Sequence, residues 1–394
     1  MNSSEIKDLY KNNVMQTYAR FDVAIDRGEG ATVWSPEGNE YIDFTSGIGV
    51  NSLGYGNTRW AEAIYHQALK LPHMSNLFYT EPGAKLAQAL IRHTGMSVVF
   101  FANSGGESNE GMIKLARKYS FDKYGRGRDQ IVTLVQSFHG RTITTLAATG
   151  QDNFHNYFFP FTEGFFHAKA NDMGDVKAAV NTETCAVMIE LIQGEGGVLP
   201  LDKGFVQELS EYCKEKDLLL LIDEVQTGVG RTGSLFAFQQ YGIMPDVISF
   251  AKGIAGGLPM GGIIANEKCA AVLTAGTHAA TFGGNPIAAA GAMEVLNQLT
   301  PDLLNDVTKK GSYIRETVNS WKLPVIREIR GLGLMIGISV TAAPKEIAAK
   351  CIENGLLMLT AGSDAIRMLP PLTISYKEID KGLAILKKVL EGIK

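Results

Sequence analysis

Cysteine, tryptophan and histidine are scarce in this chain: four, three and seven residues in 394. Cys185, Cys213, Cys269 and Cys351 form no C-x-x-C motif. The closest two are 28 residues apart, so no disulfide framework is legible. His66, His73, His93, His139, His155, His167 and His278 contain no H-x-x-x-H pairing, so no metal site is expected. There is no Gly-Lys dipeptide, which excludes a Walker-type nucleotide loop. No apolar run approaches the roughly 20 residues needed to span a bilayer. The opening M-N-S-S-E-I-K-D-L-Y-K lacks the apolar stretch of a secretory signal. One-signed charge is missing too: 37 basic residues stand against 41 acidic ones, without blocks, so no nucleic-acid partner is expected. A reducing cytoplasm is the expected setting.

What remains is an ordinary globular composition, 45% hydrophobic and 20% charged. The length suits two or three domains, or one large domain with an appendage. Short apolar runs alternate with amphipathic stretches, which predicts an α/β architecture. Strands are predicted at Val98–Phe101, Ile131–Val135, Ala186–Glu190, Leu218–Asp223 and Val247–Ala251. Their unbroken apolar character suits strands covered on both faces. Helices are predicted at Glu107–Tyr124 and Lys203–Lys216, with another opened by Pro286 and running to Leu299. From about residue 300 the texture changes. Pro324–Val340 reads as strands around a G-L-G turn, and Ser375 with Glu378 form a capping box for the last helix. Residues 1–44 and 300–394 are read as a smaller domain beside a large domain at 45–299.

The most informative stretch is L-L-L-L-I-D-E-V-Q-T-G-V-G-R-T-G, residues 218–233. A buried strand delivers Asp223 and Glu224 at its C-terminal end, where ligands bind in open α/β sheets. A carboxylate among so many aliphatic neighbours needs a cationic partner, and a protonated pyridinium nitrogen is one. A second strand, V-I-S-F-A-K-G, ends at Lys252 ahead of a loop rich in glycine. Burial there lowers an amine's pKa and raises its nucleophilic fraction. Taken alone, Lys252 reads equally well as a surface lysine. Upstream, F-F-A-N-S-G-G-E-S-N-E runs from a strand into a helix, and small residues there let backbone N–H groups approach a phosphate.

In this order the motifs N-S-G-x-E-x-N-E, F-H-G-R-T, I-Q-G-E-G-G-V, D-E-V-Q-T-G-x-G-R-T-G, A-K-G and T-F-G-G-N-P resemble the class III (ω-) aminotransferases, pyridoxal-phosphate enzymes of fold type I. The resemblance implies a large domain with a mostly parallel central sheet between helices, and a smaller α/β domain. It implies that Lys252 is the Schiff-base lysine and proton shuttle, that Asp223 pairs with the pyridine nitrogen, and that Gln226 reaches the ring's phenolic oxygen. Phe138 and Val225 cover the two ring faces, and Ser104, Gly105 and Gly106 hold the phosphate. Thr281 fills the place of a threonine that reaches the phosphate from the neighbouring subunit, which implies a homodimer.

An ω-aminotransferase must bind a donor whose carboxylate is far from the reacting amine, and an acceptor whose carboxylate is adjacent to its keto group. By resemblance, Arg141 takes the distant carboxylate and Arg367 the adjacent one, while Glu195 covers Arg367 during the amine half-reaction. Arginine's planar fork suits both tasks. Tyr18 resembles a family tyrosine that helps hold the donor carboxylate. The phrases V-W-S-P-E-G-N-E-Y-I-D-F and A-G-S-D-A-I-R-M-L-P-P-L are most similar to the acetylornithine aminotransferases within that family. They imply N²-acetyl-L-ornithine as donor and 2-oxoglutarate as acceptor; related members use ornithine, succinyl-diaminopimelate or 4-aminobutyrate. Departures from the family are L-G-Y-G-N-T at 53–58, Gly106 and Ser108.

Two rival readings stand beside this one. G-V-G-R-T-G at 228–233 is a literal dinucleotide fingerprint, but the next strand ends in Lys252 instead of the acid that a ribose needs. A catalytically silent regulator of the same fold is the non-enzyme alternative. Such proteins usually lose the lysine or the aspartate, and both are present here.

Overall fold

The computed structural model describes residues 1–393. Its centre is a seven-stranded sheet in the spatial order Val98–Ala102, Gly261–Ala265, Val247–Phe250, Leu219–Asp223, Thr184–Glu190, Gln130–Leu134 and Phe165–Ala168. Neighbours from Val247–Phe250 through Phe165–Ala168 run parallel, while Gly261–Ala265 is antiparallel to both of its partners. The α/β expectation holds, and every predicted strand lies within two residues of an observed one. The inner strands are fully buried, as their continuous Val/Ile/Leu runs require. The two edge strands differ: Val98–Ala102 exposes its first residue and Phe165–Ala168 exposes Phe166.

The strand Gly261–Ala265 was not anticipated, because its first two residues are glycines inside what reads as a loop. Packing explains them. A Cβ on Gly262 would overlap the carbonyl oxygen of Phe100 and come within 2.7 Å of the Phe250 ring. Only glycine lets this strand pass between those two neighbours. The loop before it is wedged from below by Trp60, whose indole N–H donates to the Ala255 carbonyl at 3.0 Å.

A second, wholly antiparallel sheet orders Ile326–Leu332, Met335–Val340, Ala365–Met368 and Leu359–Ala361. A third sheet joins the chain ends: Arg27–Glu29, Thr32–Trp34 and Glu40–Asp43 form a meander, and Glu40–Asp43 then pairs in parallel with Leu356–Leu357. Glu378, from the capping box of the last helix Tyr376–Glu391, accepts the Ala31 N–H at 2.8 Å. The departure at residues 53–58 belongs to this region. Tyr55 exchanges backbone hydrogen bonds with Gly30 and donates its hydroxyl to buried Asp43, while Asn57 caps the helix Thr58–Lys70. Those residues are structural. All four cysteines are free and buried. No helix among the described residues is long and apolar enough to cross a membrane.

Asp223 and Glu224 emerge from the central strand in opposite roles. Glu224 is fully buried and structural: it accepts the Phe238 N–H at 2.7 Å and the Thr227 hydroxyl. Burial, the largest influence, raises its pKa from 4.5 to about 7 despite those hydrogen bonds. The folded protein therefore holds a proton there that the unfolded chain releases, so the stabilisation is complete below about pH 4.5 and is lost as pH rises through about 7. Glu224→Gln should flatten that part of the stability–pH profile by roughly 3 kcal/mol. Denaturant unfolding across the window checks it, and identical slopes for both proteins would show an ordinary carboxyl. By the same methods Gly262→Ala should cost about 1–3 kcal/mol. Gly204→Ala, on a helix with nothing within 4 Å of the added Cβ, should be neutral or slightly stabilising.

Candidate active site

The parallel strands end together at one rim, and their register decides what meets there. Asp223 lies opposite Glu190 on one side and Ser249 on the other. Lys252 follows the Val247–Phe250 strand in a left-handed conformation with φ 45°, which turns the chain sharply at the rim. Opposite, Ser104 caps the helix Gly105–Tyr124, accepting the Glu107 N–H at 3.2 Å. Between them is a cavity of about 460 Å³. Ser104, Gly105, Gly106, Phe138, Arg141, Asp223, Val225, Gln226 and Lys252 all line it, as the sequence motifs require.

Asp223 is held by four donors. Asn109 Nδ2 at 2.7 Å and His139 Nδ1 at 2.8 Å reach one oxygen; the Val225 N–H at 3.0 Å and Ser249 Oγ at 3.4 Å reach the other. Among the described residues no arginine or lysine pairs with it. Behind it, His139 Nε2 and Asn109 Oδ1 are buried without partners. Lys252 is half-buried, and burial, the dominant effect, lowers its pKa; Glu195 and Asp223 oppose that shift and Arg367 adds to it. Gly105 abuts Val225, where a Cβ would sit 2.7 Å from Val225 Cγ1. Gly106 has ordinary room for a methyl group, so nothing in the structure demands glycine there. Ser108, the other departure, donates to the carbonyls of Ser104 and Phe250 at 2.7 and 3.0 Å, tying the start of the helix to the strand that leads to Lys252.

Glu190 lines the cavity and was missed. The signal was present: a second predicted strand also ends in an acid. Its oxygens accept the N–H groups of Phe138 at 2.9 Å and Gly194 at 3.3 Å, so it anchors the loops that carry Phe138 and Glu195. Burial first, then the neighbouring Asp223 charge, raises its pKa well above the usual carboxylate range.

Arg367 does not line the cavity. It lies one layer behind, 2% exposed, with Nη1 donating to Glu195 Oε1 at 2.6 Å, to Gln226 Oε1 at 3.1 Å and to the Gly194 carbonyl at 3.1 Å. Its buried Nε has no partner. Burial would raise the Glu195 pKa, but the Arg367 charge and hydrogen bond outweigh it and the net shift is downward. Arg141, by contrast, is exposed at the mouth, with its guanidinium 4.2 Å from the Phe154 ring centroid and 5.4 Å from that of Phe138.

Tyr18 and Thr281 are not among the residues that line this cavity. Tyr18 is 73% exposed on the N-terminal arm, stacked under Arg20 at 5.5 Å, and it lines a separate groove with Ile6, Tyr10 and Phe21. The arm packs against the helix Ser3–Asn13, with Lys7 paired to Asp22. Thr281 is exposed on a loop whose neighbours Ala280 and Gly283 accept hydrogen bonds from Asn76 Nδ2.

The family profile described as aminotransferase class-III matches residues 14–390. An acetylornithine aminotransferase from Haemophilus ducreyi is 50% identical over 99% of this chain and 99% of its own length. One from Caldanaerobacter subterraneus is 46% identical over 98% of each. Among solved structures, the ornithine aminotransferase of Toxoplasma gondii superposes with a TM-score of 0.95 at 31% identity, covering 99% of this chain and 95% of that one. The N-acetylornithine aminotransferase of Stenotrophomonas maltophilia gives 0.85 at 34%, covering 98% of each. With a rim that gathers the lysine, the aspartate and the helix N-terminus into one cavity, and with these relatives along its whole length, the chain belongs to the class-III aminotransferases, enzymes that depend on pyridoxal phosphate.

Proposed function

We propose that this enzyme transfers the terminal amino group of N²-acetyl-L-ornithine to 2-oxoglutarate, giving N-acetyl-L-glutamate 5-semialdehyde and L-glutamate, in the cytoplasm and as a homodimer. The observation that carries the reading is the unequal treatment of two arginines around one lysine. Arg141 stands open at the mouth, while Arg367 is covered by Glu195.

The residues fit pyridoxal phosphate. Asp223 has four donors and, among the described residues, no arginine or lysine partner, which suits a protonated ring nitrogen arriving from the cavity. The N-terminus of the Gly105–Tyr124 helix, with Ser104, suits a phosphate. Phe138 and Val225 supply apolar walls for a flat ring, and Gln226 is at hand for the phenolic oxygen. When bound, the cofactor supplies an electron sink for carbanion charge on the substrate carbon. Lys252 provides the amine that holds it and, once freed, takes the proton from the substrate carbon at Nζ; its lowered pKa keeps part of the amine unprotonated for that task.

With Arg367 covered, the cavity offers a distant carboxylate only Arg141, so a donor is bound by its far end. An acceptor with a carboxylate beside its keto group competes for Arg367 once Glu195 swings away. Uncovering Arg367 without a ligand would leave a buried cation exposed to about 3–5 kcal/mol of penalty, which is the physical reason for a gate. Support for the dimer comes from Thr281 and from Leu77, Phe78, Tyr79 and Phe282, exposed apolar side chains around its loop. Free, buried thiols agree with a reducing compartment.

The test is a single half-reaction with each of N-acetylornithine, ornithine, succinyl-diaminopimelate and 4-aminobutyrate, following conversion of the aldehyde cofactor to its amine form. N-acetylornithine should convert fastest; a faster rival donor moves the substrate assignment to that amine. Lys252→Ala should abolish turnover while thermal melting stays near the parent value, and normal turnover would remove Lys252 from the chemistry. Glu195→Ala should shift preference toward glutamate by about tenfold or more. An unchanged donor ratio would show that Glu195 does not gate.

A further inference from the structure

The G-V-G-R-T-G stretch that follows Gln226 takes no part in the site described above, yet its arginine is among the most deeply buried cations in the protein. Arg231 is 2% exposed. It makes no ion pair among the described residues; instead Nη1 donates to the carbonyls of Leu334 (3.1 Å) and Pro370, and Nη2 to Ser46 Oγ at 3.4 Å. Burial draws its pKa down to about 9, offset in part by Asp43. Asp43 itself is engaged by the N–H groups of Thr45 and Ser46 and by the Tyr55 hydroxyl. A guanidinium buried on neutral acceptors, two backbone carbonyls and one hydroxyl, is unfavourable as a source of stability, and a well-packed apolar side chain would serve that end better. What guanidinium offers is direction: a rigid fork that fixes several acceptors relative to one another.

The acceptors are informative. Leu334 immediately precedes the strand Met335–Val340, and Pro370 lies just beyond the strand Ala365–Met368. Those two strands pair, and Arg367 sits opposite Gly337. Arg231 thus grips the sheet at the ends that flank Arg367. The grip is reinforced: the Arg231 carbonyl accepts the Leu334 N–H at 3.0 Å, and Ser46 Oγ donates to the Leu369 carbonyl. Gly333, at φ 53°, allows this approach, since a Cβ there would lie 2.6 Å from the Thr232 carbonyl carbon. On the other side, Arg231 belongs to the same segment as Asp223 and Gln226, and Gln226 is bonded to Arg367. Arg367 is therefore fixed to the Asp223 segment at two points.

We propose that Arg231 is a positioning residue for the glutamate half-reaction: it sets the spacing between Arg367 and the Lys252–Asp223 pair, so that a carboxylate adjacent to the reacting carbon is held in register. This rests on the assignment of Arg367 as the site for that carboxylate. The amine half-reaction, in which Glu195 covers Arg367, does not depend on that spacing.

The experiment compares Arg231→Lys, Arg231→Met, Ser46→Ala and Arg367→Ala, each as the cofactor-loaded enzyme, in separate half-reactions with glutamate and with N-acetylornithine. Lysine cannot span the three acceptors, so both Arg231 variants should weaken apparent glutamate binding about tenfold, as the loss of one charge-assisted hydrogen bond would. The N-acetylornithine half-reaction should stay within about twofold, and Ser46→Ala should show the same bias at about threefold, since it removes the weaker neutral partner. Ser46→Ala decides the matter alone if the Arg231 variants fail to fold. Arg367→Ala separates the two assignments. If it leaves glutamate binding unchanged, the role of Arg367 falls and this proposal with it. If it weakens glutamate binding while the Arg231 and Ser46 variants affect both half-reactions equally, or neither, Arg231 is merely structural and the proposal is overturned.

Discussion

A carboxylate set at the end of a buried parallel strand, with neutral and histidine donors but no cation of its own, governs the arrangement of this enzyme. A carboxylate buried so deeply requires surroundings organised around it. Sheet register supplies Glu190 and Ser249 as its lateral neighbours, and Lys252 arrives from the next strand. Asn109 comes from the helix and His139 from the loop that close the cavity, and Asn109 Nδ2 bonds both Asp223 and the His139 carbonyl, so helix, loop and acid are joined through one side chain. Moving Asp223 by one residue along the strand would turn it to the other face of the sheet and dissolve the site.

Around this fixed acid the remaining charges are graded by solvent access. Arg141 is exposed and stacked on aromatic rings, Glu195 is intermediate, and Arg367 and Arg231 are sealed. The grading separates tasks. An exposed guanidinium keeps its hydration and can exchange carboxylates readily, whereas a sealed one must always be paired or bonded. Glu190 adds a fifth group that burial and Asp223 push toward its neutral form, which lets a carboxyl accept the N–H groups of Phe138 and Gly194 without adding a second charge beside Asp223.

The sequence made the cavity legible because its residues sit in contiguous motifs whose local geometry, strand end or helix start, is set by short-range rules. Lys252, Asp223 and Ser104 are of this kind. The packing of Tyr18 along the groove beside the helix Ser3–Asn13 was not legible, because no periodicity constrains the N-terminal arm and its docking is a tertiary choice. Gly261–Ala265 escaped because glycine is a poor strand former until a neighbour such as Phe250 requires the space. Glu190 was visible as a strand end but had no recognisable partner until the register placed it opposite Asp223. The layered position of Arg367, behind Glu195 and Gln226, lay beyond any local rule, since it depends on the docking of a separate antiparallel sheet.

The parallel pairing of Glu40–Asp43 with Leu356–Leu357, seconded by Glu378 on Ala31, also bears on how the chain is made. During synthesis the first meander leaves the ribosome some three hundred residues before its partner strand exists. Closing so long a loop costs little more than closing a shorter one, because the entropy grows only logarithmically. The delay is what matters: until the last helix emerges, the nascent chain carries an open strand edge and an unclaimed Ala31 N–H. Completion of the N-terminal sheet therefore waits for residues 356–378, and a chain truncated before residue 356 is left with that edge exposed to chaperones and proteases.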